Sequence, residues 1–106
     1  MSLETELESQ ISRDTKVMEK GKALRRLLNS SDFKSVIING FLREYALHLV
    51  YQRAESTEDG DKVSRKIDAV AEFKAYIDKV LSDAATAEKT VGEASEELLA
   101  IRNNEE

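Results

Sequence analysis

Apolar residues repeat along the second half of this chain with a period of seven. Val63, Val70, Ile77, Ala84, Val91 and Leu98 form one series, and Ile67, Phe73, Val80, Leu81, Ala87, Ala94 and Ile101 fill positions three or four further on. This is a heptad seam sustained over six repeats. With no proline and only Gly92 interrupting, it predicts one helix from about residue 61 to 103, roughly 60 Å long at 1.5 Å per residue. A helix of that length cannot cover its apolar stripe alone and needs partners along it. The first part of the chain carries a similar but looser pattern. Leu3, Leu7, Ile11, Val17, Met18, Leu24 and Leu28 recur at threes and fours among charged residues, so residues 3–29 read as an amphipathic helix. Gly21 weakens its middle by about 1 kcal/mol relative to alanine.

Between these two lies a segment of different character. Asn29-Ser30-Ser31-Asp32 ends the first helix, with Ser30 as N-cap of the next and Asp32 in its first turn, where a carboxylate favours the helix dipole. The second helix then runs over about 31–55. Placed at 100° per residue, Phe33, Val36, Ile37, Ile38, Phe41, Leu42, Tyr45, Ala46, Leu47, Leu49, Val50 and Tyr51 surround most of its cylinder. A helix apolar nearly all round is buried on several sides, in a bundle or between subunits. Ile38, Leu42, Leu49 and Val50 are the expected protein-interaction residues. Gly40 reads either as a point of close approach for a neighbour or as a tolerated glycine. The polar run Glu55-Ser56-Thr57-Glu58-Asp59-Gly60-Asp61 turns the chain into the long helix.

These lengths define an expected architecture: all-α, one domain over residues 1–106, with three helices. A helical hairpin over about 31–82 is extended by an antiparallel coiled-coil stalk formed from the N- and C-terminal helices. Returning the chain to the level of Phe33 near residue 82 would set Lys20 beside residues 90–94 and Lys16 beside Glu96. Charge supports that register, since Lys16, Lys20, Lys22, Arg25 and Arg26 would face Glu88, Glu93, Glu96 and Glu97. Folding the first helix the other way, into a compact three-helix bundle, would set it beside Lys74, Asp78, Lys79 and Asp83.

Composition narrows function more than it defines it. Charged residues make up 35% of the 106 and aromatics 6%, the balance of long helices rather than of a compact mixed fold. The absence of cysteine removes disulfides, thiolate metal sites and a cysteine nucleophile. No apolar run reaches the length of a membrane span, and Met1-Ser2-Leu3-Glu4 does not open like a signal peptide, so a cytoplasmic protein with no membrane partner is expected. A net charge of -5 argues against general nucleic-acid binding, which depends on neutralising phosphates. The basic run from Lys16 to Arg26, with Lys20, Arg25 and Arg26 foremost, is read first as intramolecular pairing and only second as a phosphate contact.

Candidate chemistry is sparse. His48 is the sole histidine, with Glu44 four residues before it on the same face, and a single such pair supplies neither a zinc nor a di-iron ligand set. By angle His48 falls between Ile37 and Phe41 and reads as a packed or interface residue. The stretch from Glu55 to Lys66 mimics part of a calcium loop but ends in lysine where a bidentate glutamate is needed. Phosphate-binding glycine motifs and nucleophile elbows are absent. No catalytic residue, metal or cofactor is expected. Tyr45, Tyr51, Tyr76, Phe41 and Phe73 read as core and interface aromatics rather than a base-stacking platform.

The stretch Ser30-Ser31-Asp32-Phe33-Lys34-Ser35-Val36-Ile37-Ile38-Asn39-Gly40-Phe41-Leu42-Arg43-Glu44-Tyr45-Ala46, continuing to Leu49-Val50, resembles a group of small helical proteins of tailed bacteriophages. Those carry a similar Asp-Phe-Lys-x-Val-Ile-x-x-Gly segment between coiled-coil ends, and Ile67 to Ile77 forms a second similar stretch. Ser31 stands where such proteins often have proline. The resemblance covers the middle half of the chain and brings no catalytic or ligand residues with it. It implies a phage origin and a part in building or filling the virion, in the host cytoplasm or in the particle itself. The expected function is accordingly a non-enzymatic structural or assembly protein, a homo-oligomer or a piece of a larger phage assembly. The alternative is a small acidic phage regulator that binds a host or phage nucleic-acid enzyme.

Overall fold

The computed structural model describes residues 2–55 and 60–104, all helical apart from Ser2 and the tight turn at Asn29 and Ser30. Helix α1 spans Leu3–Leu28 and α4 spans Gly60–Asn104 without a break, each within a residue or two of its expected ends. The Ser2 hydroxyl accepts from the Thr5 N–H at 3.2 Å and caps α1. Ser30 is the N-cap expected from the sequence, with extended backbone and its Oγ accepting from the Phe33 N–H at 3.3 Å. Of the expected connecting loop, Glu55, Gly60 and Asp61 are helical, and residues 56–59 lie outside the described residues.

The middle helix is not uniform. It begins as the single turn α2 (Ser31–Phe33), continues as a π-helix over Lys34–Tyr45, and ends as α3 (Ala46–Glu55). Bonding to the fifth residue along instead of the fourth widens the turn and changes which side chains share a face. Phe33, Ile37, Ile38, Phe41, Leu42 and Ala46 are spaced by fours and fives, which matches the wider turn, and these are the half-buried residues of the segment. The winding expected at 100° per residue is thereby corrected over Lys34–Tyr45. The middle helix stays apolar on several sides, since none of the twelve π residues is fully buried and Val36, Leu47, Val50 and Tyr51 are exposed.

The chain divides into two compact units, Met1–Leu24 with Lys79–Glu106, and Arg25–Asp78. In the first, α1 lies antiparallel on the C-terminal half of α4. Leu7 is buried with Ala94 and Leu98, and Ile11 and Ile101 pack on that cluster. Further along, Gly21 meets Ala84 so closely that a Cβ built on the glycine would overlap the Ala84 Cβ and lie 3.9 Å from the Val80 carbonyl oxygen. The glycine read as a weak point is therefore what permits the approach of the two backbones. In the second unit, Leu49, Val63 and Val70 form the core, covered by Phe41, Leu42, Ala46 and Ile67. The hairpin and the stalk of the expected fold are both present.

The register of the stalk differs from the expectation. Gly21 opposite Ala84, Leu7 beside Ala94 and Leu98, and Arg102 paired with Glu4 and Glu8 together fix it. Asp14 and Val17 share a cleft with Asp83, Thr86, Ala87 and Thr90. Lys16 and Lys20 are thus level with about the stretch between Ala84 and Thr90, and Glu93 and Glu96 fall toward Leu7 and Ile11. Apolar packing and the Gly–Ala contact set this register, because exposed ion pairs contribute only about 0.2–1 kcal/mol each and cannot oppose it. Lys74 with Asp78 (3.0 Å) and Lys79 with Asp83 (2.6 Å) pair along their own helix.

Candidate interaction surface

Two helices in a hairpin each bury one stripe, so the flanks of both stay in water unless something else covers them. In Arg25–Asp78 the flanks are rich in large apolar side chains. On α3, Leu49 points into the core at 1% exposure, and Val50, Leu47 and Tyr51 follow one another round one side of the helix, exposed by half or more. This side continues across to α4 through an open cleft of about 600 Å³ lined by Val50, Arg53, Ala54, Gly60, Asp61, Ser64 and Ile67. Among the described residues, the cleft is lined by one cation, Arg53, and one anion, Asp61.

The other flank is aromatic. The Phe41 ring stacks on Tyr45 with centroids 5.7 Å apart and planes at 17°, and meets Phe73 of α4 edge-on at 5.6 Å and 78°. Tyr45 in turn lies over His48 at 6.5 Å and 29°. These separations fall in the range of favourable ring pairs. The result is a row, His48–Tyr45–Phe41–Phe73, that crosses from one helix to the other. Only Phe41 is largely covered; Tyr45, Phe73 and His48 are exposed, Phe73 by 40%.

Of the four expected contact residues, Ile38 and Leu42 are half-buried, with Leu42 packed on the core of its own hairpin, and Val50 is exposed. Leu49 is covered by its own chain and has no surface to offer a partner in this conformation. It packs with Val63 and Val70 because α3 turns that face toward α4. The residues that the pattern along the chain missed are those at the stripe edges, Val36 (65% exposed), Leu47 and Tyr51. Their hydrophobicity was legible; which edge faced out was not.

The sites considered for chemistry do not converge. His48 is exposed rather than packed, and its contact is the Tyr45 ring. Among the described residues no three His, Cys, Asp or Glu side chains gather as a metal site, and no polar or charged residue is buried. No helix among them is long and apolar enough to cross a membrane. Arg102 donates from Nε to Glu4 at 3.1 Å and from Nη2 to Glu8 at 2.9 Å. The Glu4 hydrogen bond is the main reason its guanidinium is held above its ordinary pKa.

Charge is divided unevenly between the two units. Met1–Leu24 with Lys79–Glu106 carries seven Lys and Arg against twelve Asp and Glu, which accounts for the whole net charge of -5. Arg25–Asp78 carries nine of each and is neutral. The unit with exposed apolar flanks is thus also the one without charge repulsion to oppose association.

The chain matches no protein-family model, no curated protein and no solved structure.

Proposed function

We propose that this chain is a non-enzymatic structural or assembly protein of a tailed phage that works by covering apolar helix surface against other proteins. The observation that carries the reading is the hairpin of Arg25–Asp78, neutral and with Val36, Leu47, Val50 and Tyr51 each exposed by half or more. Large apolar side chains concentrated on one unit mark a contact surface more than scattered singles do. The phage assignment is carried by the resemblance of residues 30–50 alone. Of the contacts first expected on the middle helix, Val50 remains available, and Leu47 and Tyr51 take the place of the buried Leu49. The acidic unit would stay solvated and keep assembling copies apart until their hairpins meet.

Mass spectrometry of purified virions and procapsids of the encoding phage tests this reading. The protein should be present in one or both at a reproducible copy number. Its absence from both, with recovery of the chain bound to a polymerase or nuclease from infected cells, would replace assembly with the regulator reading. The twelve carboxylates of the acidic unit would then be the surface to mutate.

A further inference from the structure

The middle helix carries a separate apolar stripe for each way of winding it. With Lys34–Tyr45 wound as a π-helix, Phe33, Ile37 and Phe41 are half-buried beside Ile38 and Leu42, and the Phe41 ring meets Phe73 of α4 edge-on at 5.6 Å. Wound back from Leu49 as an α-helix, the same residues would divide differently. At about 100° per residue, Tyr45, Leu42, Ile38 and Ser35 fall within about 40° of Leu49, whereas Phe41, Ile37 and Phe33 fall about 80°, 120° and 160° from it. Ile38 and Leu42 thus serve both windings. Phe33, Ile37 and Phe41 belong to the π winding alone, and Tyr45, 39% exposed in the π state, would enter with the α winding.

We propose that Lys34–Tyr45 is a winding switch, which exchanges between the π-helix and an α-helix in which Phe33, Ile37 and Phe41 turn away from α4. A π-helix rarely exceeds a single turn, so one of twelve residues is held by its surroundings rather than by its own bonding. Those surroundings hold it lightly. None of the twelve is fully buried, and Ile38 and Leu42 keep an inward position in either state, so the two packings differ chiefly in exchanging Phe33, Ile37 and Phe41 for Tyr45. Gly40 leaves both windings open. A Cβ there would lie 3.1 Å from the Ser35 oxygen in the π-helix, whereas alanine is the most favourable residue in an α-helix. At the start of the segment, Asn29 and Ser30 lie outside the helices, where backbone rotation can take up the change in winding. One hairpin then has two apolar surfaces to present, and a partner that prefers one of them would set the winding. The inference goes beyond the assembly reading without resting on it, because the exchange belongs to the isolated chain.

NMR relaxation dispersion on the full chain is the test, because shifts of helix register fall in the microsecond-to-millisecond range that it detects. Backbone amides of residues 34–45 and the Phe41 ring should exchange with a minor state populated at about 0.1–10%, while amides around Leu98 in the other unit stay quiet. Two variants push the balance in opposite directions. Gly40→Ala should raise the minor population by about fivefold, the preference of an α-helix for alanine over glycine expressed as a ratio. Ile38→Lys should quench the exchange, because the α winding would aim the charge at α4 while the half-buried position of the π winding lets the amine reach water. Far-ultraviolet circular dichroism and unchanged signals around Leu98 check that both variants fold. Exchange that is absent over residues 34–45 in both the wild type and Gly40→Ala would overturn the proposal. So would exchange that Ile38→Lys leaves untouched, which would mark local fraying instead of rewinding. A wild type that is α-helical and static over the whole segment would overturn it too.

Discussion

Gly21 and Gly92 occupy the interiors of long helices, and a helix-propensity scale treats them alike. Their surroundings separate them. Alanine at Gly92 meets nothing within 4 Å, so Gly92→Ala should stabilise the chain by up to about 1 kcal/mol, the usual gain for an exposed helical site. Alanine at Gly21 gains the same propensity but must push Ala84 away. Overpacking of this kind costs about 1–3 kcal/mol, so Gly21→Ala should destabilise on balance. Chemical denaturation of the two variants beside the wild type decides it; a stabilised Gly21→Ala would mean that α1 and α4 do not approach closely there. Arg102 shows the same dependence on place. Its raised pKa contributes stability that is complete below the ordinary guanidinium range and is lost only as pH rises through the folded value. Arg102→Gln should therefore show the same small deficit at about pH 6 as at about pH 8, a deficit that shrinks as salt screens the exposed pairs.

At the scale of the element, the π-helix decides how the middle of the chain presents itself. Its turns place Gly40 five residues beyond its hydrogen-bonding carbonyl, and a Cβ on Gly40 would lie 3.1 Å from the Ser35 oxygen of the same helix. Among the described residues, no atom of another helix lies within 4 Å of a Cβ built on Gly40, so the close approach considered from the sequence occurs at Gly21 instead. Scalar couplings across hydrogen bonds, measured by NMR, should connect the Gly40 N–H with the Ser35 carbonyl. A coupling to Val36 would instead show an α-helix in solution and would turn a different set of side chains outward. The start of this helix is simpler. Ser30→Ala removes the hydroxyl that accepts from the Phe33 N–H and should cost about 1 kcal/mol, the ordinary value for a lost N-cap.

For the whole molecule, the two core clusters have no residue in common, though α4 supplies residues to both. Leu49→Ala should cost about 2–5 kcal/mol by opening a cavity beside Val63 and Val70, and Leu98→Ala should fall toward the lower end of that range because its cluster is smaller. With no shared partners, the double variant should lose the sum of the two within about 0.5 kcal/mol. A larger deviation in denaturant titrations would reveal coupling through α4. Hydrogen exchange should assign each loss to its own unit, with faster amides around Leu49 in one variant and around Leu98 in the other.

The order of elements was determined by the sequence alone. Heptad spacing from Val63 to Leu98, the Ser30 cap and the lack of proline dictate three helical rods, because those are local properties of periodicity and backbone bonding. The hairpin and stalk follow from the lengths of the rods. The register of α1 on α4 did not follow, since the charge pattern that marked Lys16 and Lys20 as partners of Glu93 and Glu96 is energetically weaker than apolar contact. The packing of Leu7 and the bare backbone of Gly21 fixed it in three dimensions. The interaction surface divides in the same way. That the middle helix holds more apolar side chains than one hairpin can bury is plain from residues 33–51, but which of them turn outward depends on the π winding. Leu49 and Val50 are neighbours of equal promise in the sequence; rotation about the helix axis put one in the core and the other at the surface.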